Sequence, residues 1–175
     1  MKIGLFSRRT QQQNETFEEL IAPQMPALYR LAYHYTGSQP DAEDLVQDVL
    51  IKLYPKYQEL QKVESLRPWL AKVLYRAYID RMRHASRQAV DLAKEYDDLE
   101  GVGAKPGDNH EKRVDTIRDL EAALTYLPEE QRMVVLMHDV ESYTQEEIGG
   151  VLGVPLGTVK SRLHRGRAKL RELLS

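Results

Sequence analysis

Tyr143-Thr-Gln-Glu-Glu-Ile-Gly-Gly-Val-Leu-Gly-Val-Pro-Leu-Gly-Thr-Val-Lys-Ser-Arg-Leu-His-Arg-Gly-Arg-Ala-Lys-Leu170 reads as two short helices around a Gly-Val turn. Thr144 and Glu147 have the spacing of a capping box, which fixes the start of the first helix. Gly153 sits where a helix ends in the left-handed conformation, and Pro155 helps to start the next helix. Leu156, Val159, Leu163 and Leu170 recur at helical spacing and form its expected inward stripe. From Leu156 to Arg171 there are six Lys or Arg and no acid, whereas Asp115 to Glu147 holds nine acids against Arg118 and Arg132. A helix-turn-helix whose second helix holds most of the local positive charge suits a DNA groove. A solvated cationic helix is the plain alternative, but it requires neither the cap, nor the turn, nor the stripe.

The outward residues of that second helix divide by reach. Gly157 permits a phosphate to approach the backbone, and the helix amino terminus attracts an anion. Thr158, Lys160, Ser161, His164 and Arg165 face outward near that end, and Lys160 and Arg165 are suited to guanine edges. Arg162 and Arg167 lie to the sides with Lys169 and Arg171, where phosphate contact is expected.

The rest of the chain is patterned as helix. Apolar residues recur from Phe17 to Tyr35, interrupted at Pro23 and Pro26. After Gly37, Ser38 and Asp41 are spaced as another capping box, and Leu45, Val46, Val49, Leu50, Leu53, Tyr54 and Tyr57 follow on one face, with Pro55 ending or kinking that helix. A third pattern starts near Pro68 and runs through Trp69, Leu70, Val73, Leu74, Ala77, Tyr78 and Met82. Order fades from about Ser86 into an acidic, Gly-containing stretch, and periodicity resumes at Ile117, Leu120, Ala123, Leu124 and Leu127. The expectation is an all-α fold of two small helical domains joined by a flexible linker. The boundaries are a disordered tail over 1–14, a first domain over 15–87, a linker over 88–112 and a second domain over 113–175.

Charge separates these segments. Residues 1–90 hold 13 basic and 10 acidic side chains, residues 91–113 hold 4 and 7, and residues 114–175 hold 8 and 10. Arg67 to Arg87 carries six bases against the single acid Asp80, whereas Ser38 to Ile51 carries four acids and no base. Basic and acidic surfaces on separate elements suit more than one partner. Zero cysteines exclude disulfides and thiolate metal sites and suit a reducing cytoplasm. No apolar run approaches the roughly 18 residues of a membrane span, so no membrane insertion is expected. The five histidines lack metal-ligand spacing, and no phosphate loop or nucleophile elbow appears. Asp41, Glu43, Asp44 and Asp48 suit a helix start as readily as a magnesium site. Catalytic residues, metal and cofactor are therefore all expected to be none.

Asp41-Ala-Glu-Asp-Leu-Val-Gln-Asp-Val-Leu, then Arg67-Pro-Trp-Leu, Leu127-Pro-Glu-Glu-Gln-Arg and Gly157-Thr-Val-Lys-Ser-Arg-Leu-His-Arg-Gly-Arg, together resemble a bacterial extracytoplasmic-function (ECF) sigma factor. The resemblance covers about residues 17–85 and 117–173, in order. It implies an initiation factor that binds core RNA polymerase, reads two promoter elements and helps to melt DNA. On this reading Gly157, Thr158, Lys160, Ser161, Arg162, His164, Arg165 and Arg167 contact the minus-thirty-five duplex. The basic helix and its following loop hold the opened minus-ten strand through Arg67, Trp69, Lys72, Tyr75, Arg76 and Arg83, with cations along the backbone and aromatic faces for bases. Core packing competes with base stacking for Trp69, which shares a face with Val73. Arg76 stands where family members often carry an asparagine associated with a flipped base, a departure that bears on minus-ten preference. Asp44, Gln47, Asp48 and Ile51 share one helix face, and an isoleucine within an acidic row fits an interface centre. The resemblance assigns that patch to polymerase. It also admits a cognate anti-sigma factor that clamps the two domains. The free chain is expected to be a monomer. A helix-turn-helix transcriptional regulator, acting without replacing the polymerase's own sigma subunit, is the alternative.

Overall fold

The computed structural model describes residues 17–95 and 116–175. The expected tail over 1–14 lies outside them, as does most of the expected linker. Among the described residues every regular element is helical and there is no strand.

Residues 17–21 form a short helical lead-in. Pro23 and Pro26 then act as foreseen: a 3-10 turn, Ala22–Gln24, separates the lead-in from α1, Met25–Thr36. Gly37, at φ 68°, ends α1 in the left-handed region that glycine enters without a Cβ clash. Helix α2 spans Gln39–Leu53 and gives way at Pro55 to a second 3-10 turn, Tyr54–Lys56, and to the short α3, Tyr57–Leu60. The Ser38–Asp41 spacing does not make a capping box: Ser38 is the N-cap but its side chain makes no cap hydrogen bond. The Ser38 amide donates instead to Thr36 Oγ1 at 3.4 Å, and Pro40 has no N–H to offer.

Helix α4 is longer than its apolar pattern, running over Leu66–Glu95. Order therefore does not fade at Ser86. The residues from Arg81 to Arg87 are exposed, Met82 among them at 48%, so this end of α4 needs no apolar stripe to remain helical. Beyond residue 116 come α5, Thr116–Thr125, and α6, Glu129–Val135, which continues into a single π turn over Leu136–Val140. Helix α7, Gln145–Leu152, begins at the expected capping box: Thr144 Oγ1 accepts from the Glu147 amide at 3.2 Å and the Glu147 carboxylate accepts from the Thr144 amide at 2.8 Å. Gly153, at φ 69°, ends it, and α8, Leu156–Leu174, completes the helix-turn-helix.

Two helical domains result, and they pack against each other. Leu28, Leu31, Leu45, Leu70 and Leu74 of the first belong to the same buried cluster as Val134, Met137, Ile148 and Val159 of the second. Helix α4 packs on α7, so the basic helix of the first domain lies against the first helix of the helix-turn-helix. In α8 the inward stripe is Val159, Leu163 and Gly166, flanked by half-buried Leu170. Leu156 is not part of it: it opens the helix and stays 37% exposed. Gly166 takes its share of the stripe because α6 comes so near that a Cβ there would stand 2.7 Å from Val135 Cγ2.

Candidate nucleic-acid interface

The amino-terminal half of α8 presents one outward face. Gly157, Lys160, His164 and Arg165 are exposed, and Thr158 and Ser161 are half-buried at its border. A Cβ on Gly157 would meet nothing within 4 Å, so the backbone there is open to a ligand. Ser161 Oγ donates to the Thr158 carbonyl at 3.0 Å, and Arg165 folds back to donate to the Ser161 carbonyl and hydroxyl, each at 3.3 Å. Lys160 makes no ion pair among the described residues, so its ammonium remains available to an external acceptor.

Arg162 and Arg167 behave otherwise. Arg162 is tied to Glu130 of α6 at 2.6 Å, its side chain only 19% exposed. Arg167 Nε donates to Asp139 Oδ2 at 2.9 Å, and its terminal nitrogen contacts both the other Asp139 oxygen and His138. These hydrogen bonds hold the Asp139 carboxyl below the usual carboxylate range and raise the Arg167 guanidinium. Both arginines brace α8 against α6 and the π turn that follows it in this conformation.

Helix α4 carries the second set. Arg76 and Arg83 are exposed, and Lys72, Tyr75 and Trp69 are half-buried. Trp69 packs against the core, and so does Tyr75, whose ring meets Tyr35 edge-on at 6.0 Å. Tyr75 lies outside the apolar pattern of the sequence; α4 buries a wider face because α7 of the other domain covers it. Lys72, Tyr75, Arg76 and Arg83 border a cleft of about 360 Å³ whose other wall is formed by Val151, Leu152 and Gly153. The two candidate DNA surfaces are thus neighbours. Tyr78 donates to Glu129 at 2.9 Å across the same seam, and burial together with that carboxylate pushes its hydroxyl up to about 12.

Arg67 is engaged elsewhere. Its guanidinium lies 4.5 Å from the centroid of the Tyr143 ring, donates to the Glu141 carbonyl and stands 3.7 Å from the Glu141 carboxylate. Arg30 of α1 grips the same carboxylate from Nε at 2.7 Å and from a terminal nitrogen at 2.9 Å. Neither Arg30 nor Glu141 was singled out from the sequence. Their partnership spans 111 positions and leaves no local signature, although Arg30 is the only Lys or Arg of α1. The backbone that aims Glu141 is unusual: the π turn precedes it, and Ser142 follows at φ 58°, a conformation that costs a non-glycine residue about 1–3 kcal/mol.

On α2 the acidic patch stands clear. Asp44, Gln47, Asp48 and Ile51 are all exposed, Ile51 at 64%. Asp44 faces Arg81 at 3.7 Å, so the patch adjoins the basic end of α4. Among the described residues no group of His, Cys, Asp and Glu could hold a metal ion, and no helix is long and apolar enough to cross a membrane.

Comparisons with known proteins agree with this arrangement. Residues 20–88 match the Sigma-70 region 2 family and residues 117–170 the Sigma-70 region 4 family. The chain is 38% identical over 162 residues to the ECF RNA polymerase sigma factor SigE of Mycolicibacterium smegmatis, a match covering 91% of this chain and 62% of that protein. It therefore spans less than two thirds of that relative's length. Identity to the ECF RNA polymerase sigma factor SigM of Mycobacterium tuberculosis is 32% over 158 residues, covering 90% and 76%. Among solved structures, the sigma factor RpoE in complex with the anti-sigma factor NepR from Bartonella quintana has a TM-score of 0.70 at 29% identity, covering 90% of this chain and 96% of that one. With both regions present in order, one bearing the basic α4 and the other the helix-turn-helix, the chain belongs to the ECF sigma factors of RNA polymerase.

Proposed function

We propose that the chain directs core RNA polymerase to specific promoters as a transcription initiation factor, working in the cytoplasm without a cofactor. The observation that carries this reading is the division of labour between two helices of one chain. Helix α8 offers Gly157, Lys160, His164 and Arg165 on one exposed face, and α4 offers Lys72, Arg76 and Arg83 beside the aromatic ring of Tyr75. The first face suits duplex DNA, because an exposed helix with guanidinium and ammonium heads reads base edges in the major groove. The second suits a melted strand, because cations follow the phosphates while aromatic faces accept unstacked bases. Asp44, Gln47, Asp48 and Ile51 dock the chain on polymerase through an apolar centre rimmed by acids. A cognate anti-sigma factor is a further expected partner, since the similar RpoE structure is a complex with one.

The deciding experiment is transcription in vitro with purified bacterial core polymerase and fragmented genomic DNA. Promoter-specific initiation that depends on the added chain is the expected result. Tight duplex binding without any initiation would instead establish the helix-turn-helix regulator reading.

A further inference from the structure

Glu141 is the one charged side chain buried among the described residues, at 2% exposure, and the guanidiniums that meet its carboxylate both come from the other domain. A buried carboxylate is tolerated only where donors surround it, so the two domains must be together for this one to stay buried. The polar contacts around it are nevertheless open to competition. Arg30 and Arg67 keep 52% and 42% of their side-chain surface exposed, so water and salt reach the donors. The buried Tyr35 hydroxyl finds no partner among the described residues, and the Tyr78–Glu129 bond adds another polar contact across the same seam.

What the seam occupies is part of the candidate minus-ten surface, since Arg76 and Arg83 stay exposed. Arg67 is committed to Glu141 and Tyr143, and the end of α7 forms one wall of the cleft beside Tyr75 and Arg76. A carboxylate gripped by the Arg30 guanidinium, with that of Arg67 at 3.7 Å, presents to them the same planar pair of anionic oxygens that a backbone phosphate would.

We infer that Glu141 is an internal stand-in for a DNA phosphate: it occupies Arg30 and Arg67 in the free chain, latches the helix-turn-helix domain over α4, and is exchanged for promoter phosphates on loading. Arg30 thereby joins the phosphate-binding residues of the first domain. The exchange rests on the reading of α4 as a DNA surface; the latch itself does not.

The absence of cysteine allows a direct test on the full chain. Gln58→Cys and Ser175→Cys, both at exposed sites, take a donor and an acceptor dye for energy transfer between the domains. The unaltered seam should give a high-transfer population at low salt. Glu141→Gln and, separately, Arg30→Ala should move it to low transfer with helical circular dichroism retained. A single-stranded promoter oligonucleotide should then bind Glu141→Gln about tenfold more tightly than the parent, the shift that one lost closing contact would release. Should Glu141→Gln fail to fold, Arg30→Ala, which alters a half-exposed side chain, decides whether the latch opens. Unchanged transfer in a folded variant overturns the latch. Opening without tighter oligonucleotide binding overturns the exchange, and the initiation assay above still decides separately whether the chain is a sigma factor.

Discussion

Four basic side chains of α8 look alike in sequence and differ in what they touch. Arg162 and Arg167 find acids 32 and 28 positions away, so no local pattern could have separated them from phosphate-contacting residues. Lys160 and Arg165 have no acidic partner among the described residues. Lys160→Ala and Arg165→Ala should therefore each weaken minus-thirty-five duplex binding by about 1–3 kcal/mol and relax base preference, leaving the melting temperature in place. Arg162→Ala and Arg167→Ala should do the reverse, lowering the melting temperature with little change in base preference; fluorescence anisotropy and thermal denaturation separate the two classes. Asp139 adds a pH signature. Because Arg167, and after it His138, hold its carboxyl below the ordinary value of 3.8, its contribution to stability is complete above that value. It is lost as pH falls through the depressed folded value. Asp139→Asn should flatten this part of the acid limb below about pH 4, read as the urea midpoint at successive pH values.

At the scale of elements, legibility followed locality. The Thr144–Glu147 box could be read because both partners lie within one turn, and the turn at Gly153 because only its backbone conformation was at issue. The same spacing at Ser38–Asp41 misled, since Thr36 already engages the Ser38 amide. The extent of α4 was hidden because its residues from Arg81 to Arg87 are exposed and carry no stripe. Gly166 was hidden because a glycine's role in close packing depends on the approach of α6. Gly166→Ala would put a Cβ 2.7 Å from Val135 Cγ2 and 3.2 Å from Leu127 Cδ2, and should cost about 1–3 kcal/mol by overpacking. Gly157→Ala, in open space, should leave the urea midpoint almost unmoved. Thr144→Ala removes the cap and should cost about 1 kcal/mol without affecting α8's outward face.

Over the whole molecule the class and order of the helices were legible, and their mutual packing was not. Segregated charge announced separate surfaces, yet nothing local says that α7 closes on α4 or that Glu141 reaches Arg30; those contacts join residues from opposite ends of the chain. The acidic patch on α2 lies away from that closure, exposed whether or not the domains stay together. Ile51 is its apolar centre at 64% exposure, so exchanging it for glutamate removes no core contact. The folded chain should tolerate Ile51→Glu within about 0.5 kcal/mol, as surface substitutions usually are. A polymerase interface should not, because a carboxylate would then be desolvated at the centre of an already acidic rim. Gel filtration with core polymerase should show the parent chain co-eluting and the Ile51→Glu chain eluting free, with equal helical circular dichroism for both. Full co-elution of the variant would remove this face from the polymerase contact and leave the two DNA surfaces as the chain's assigned interfaces.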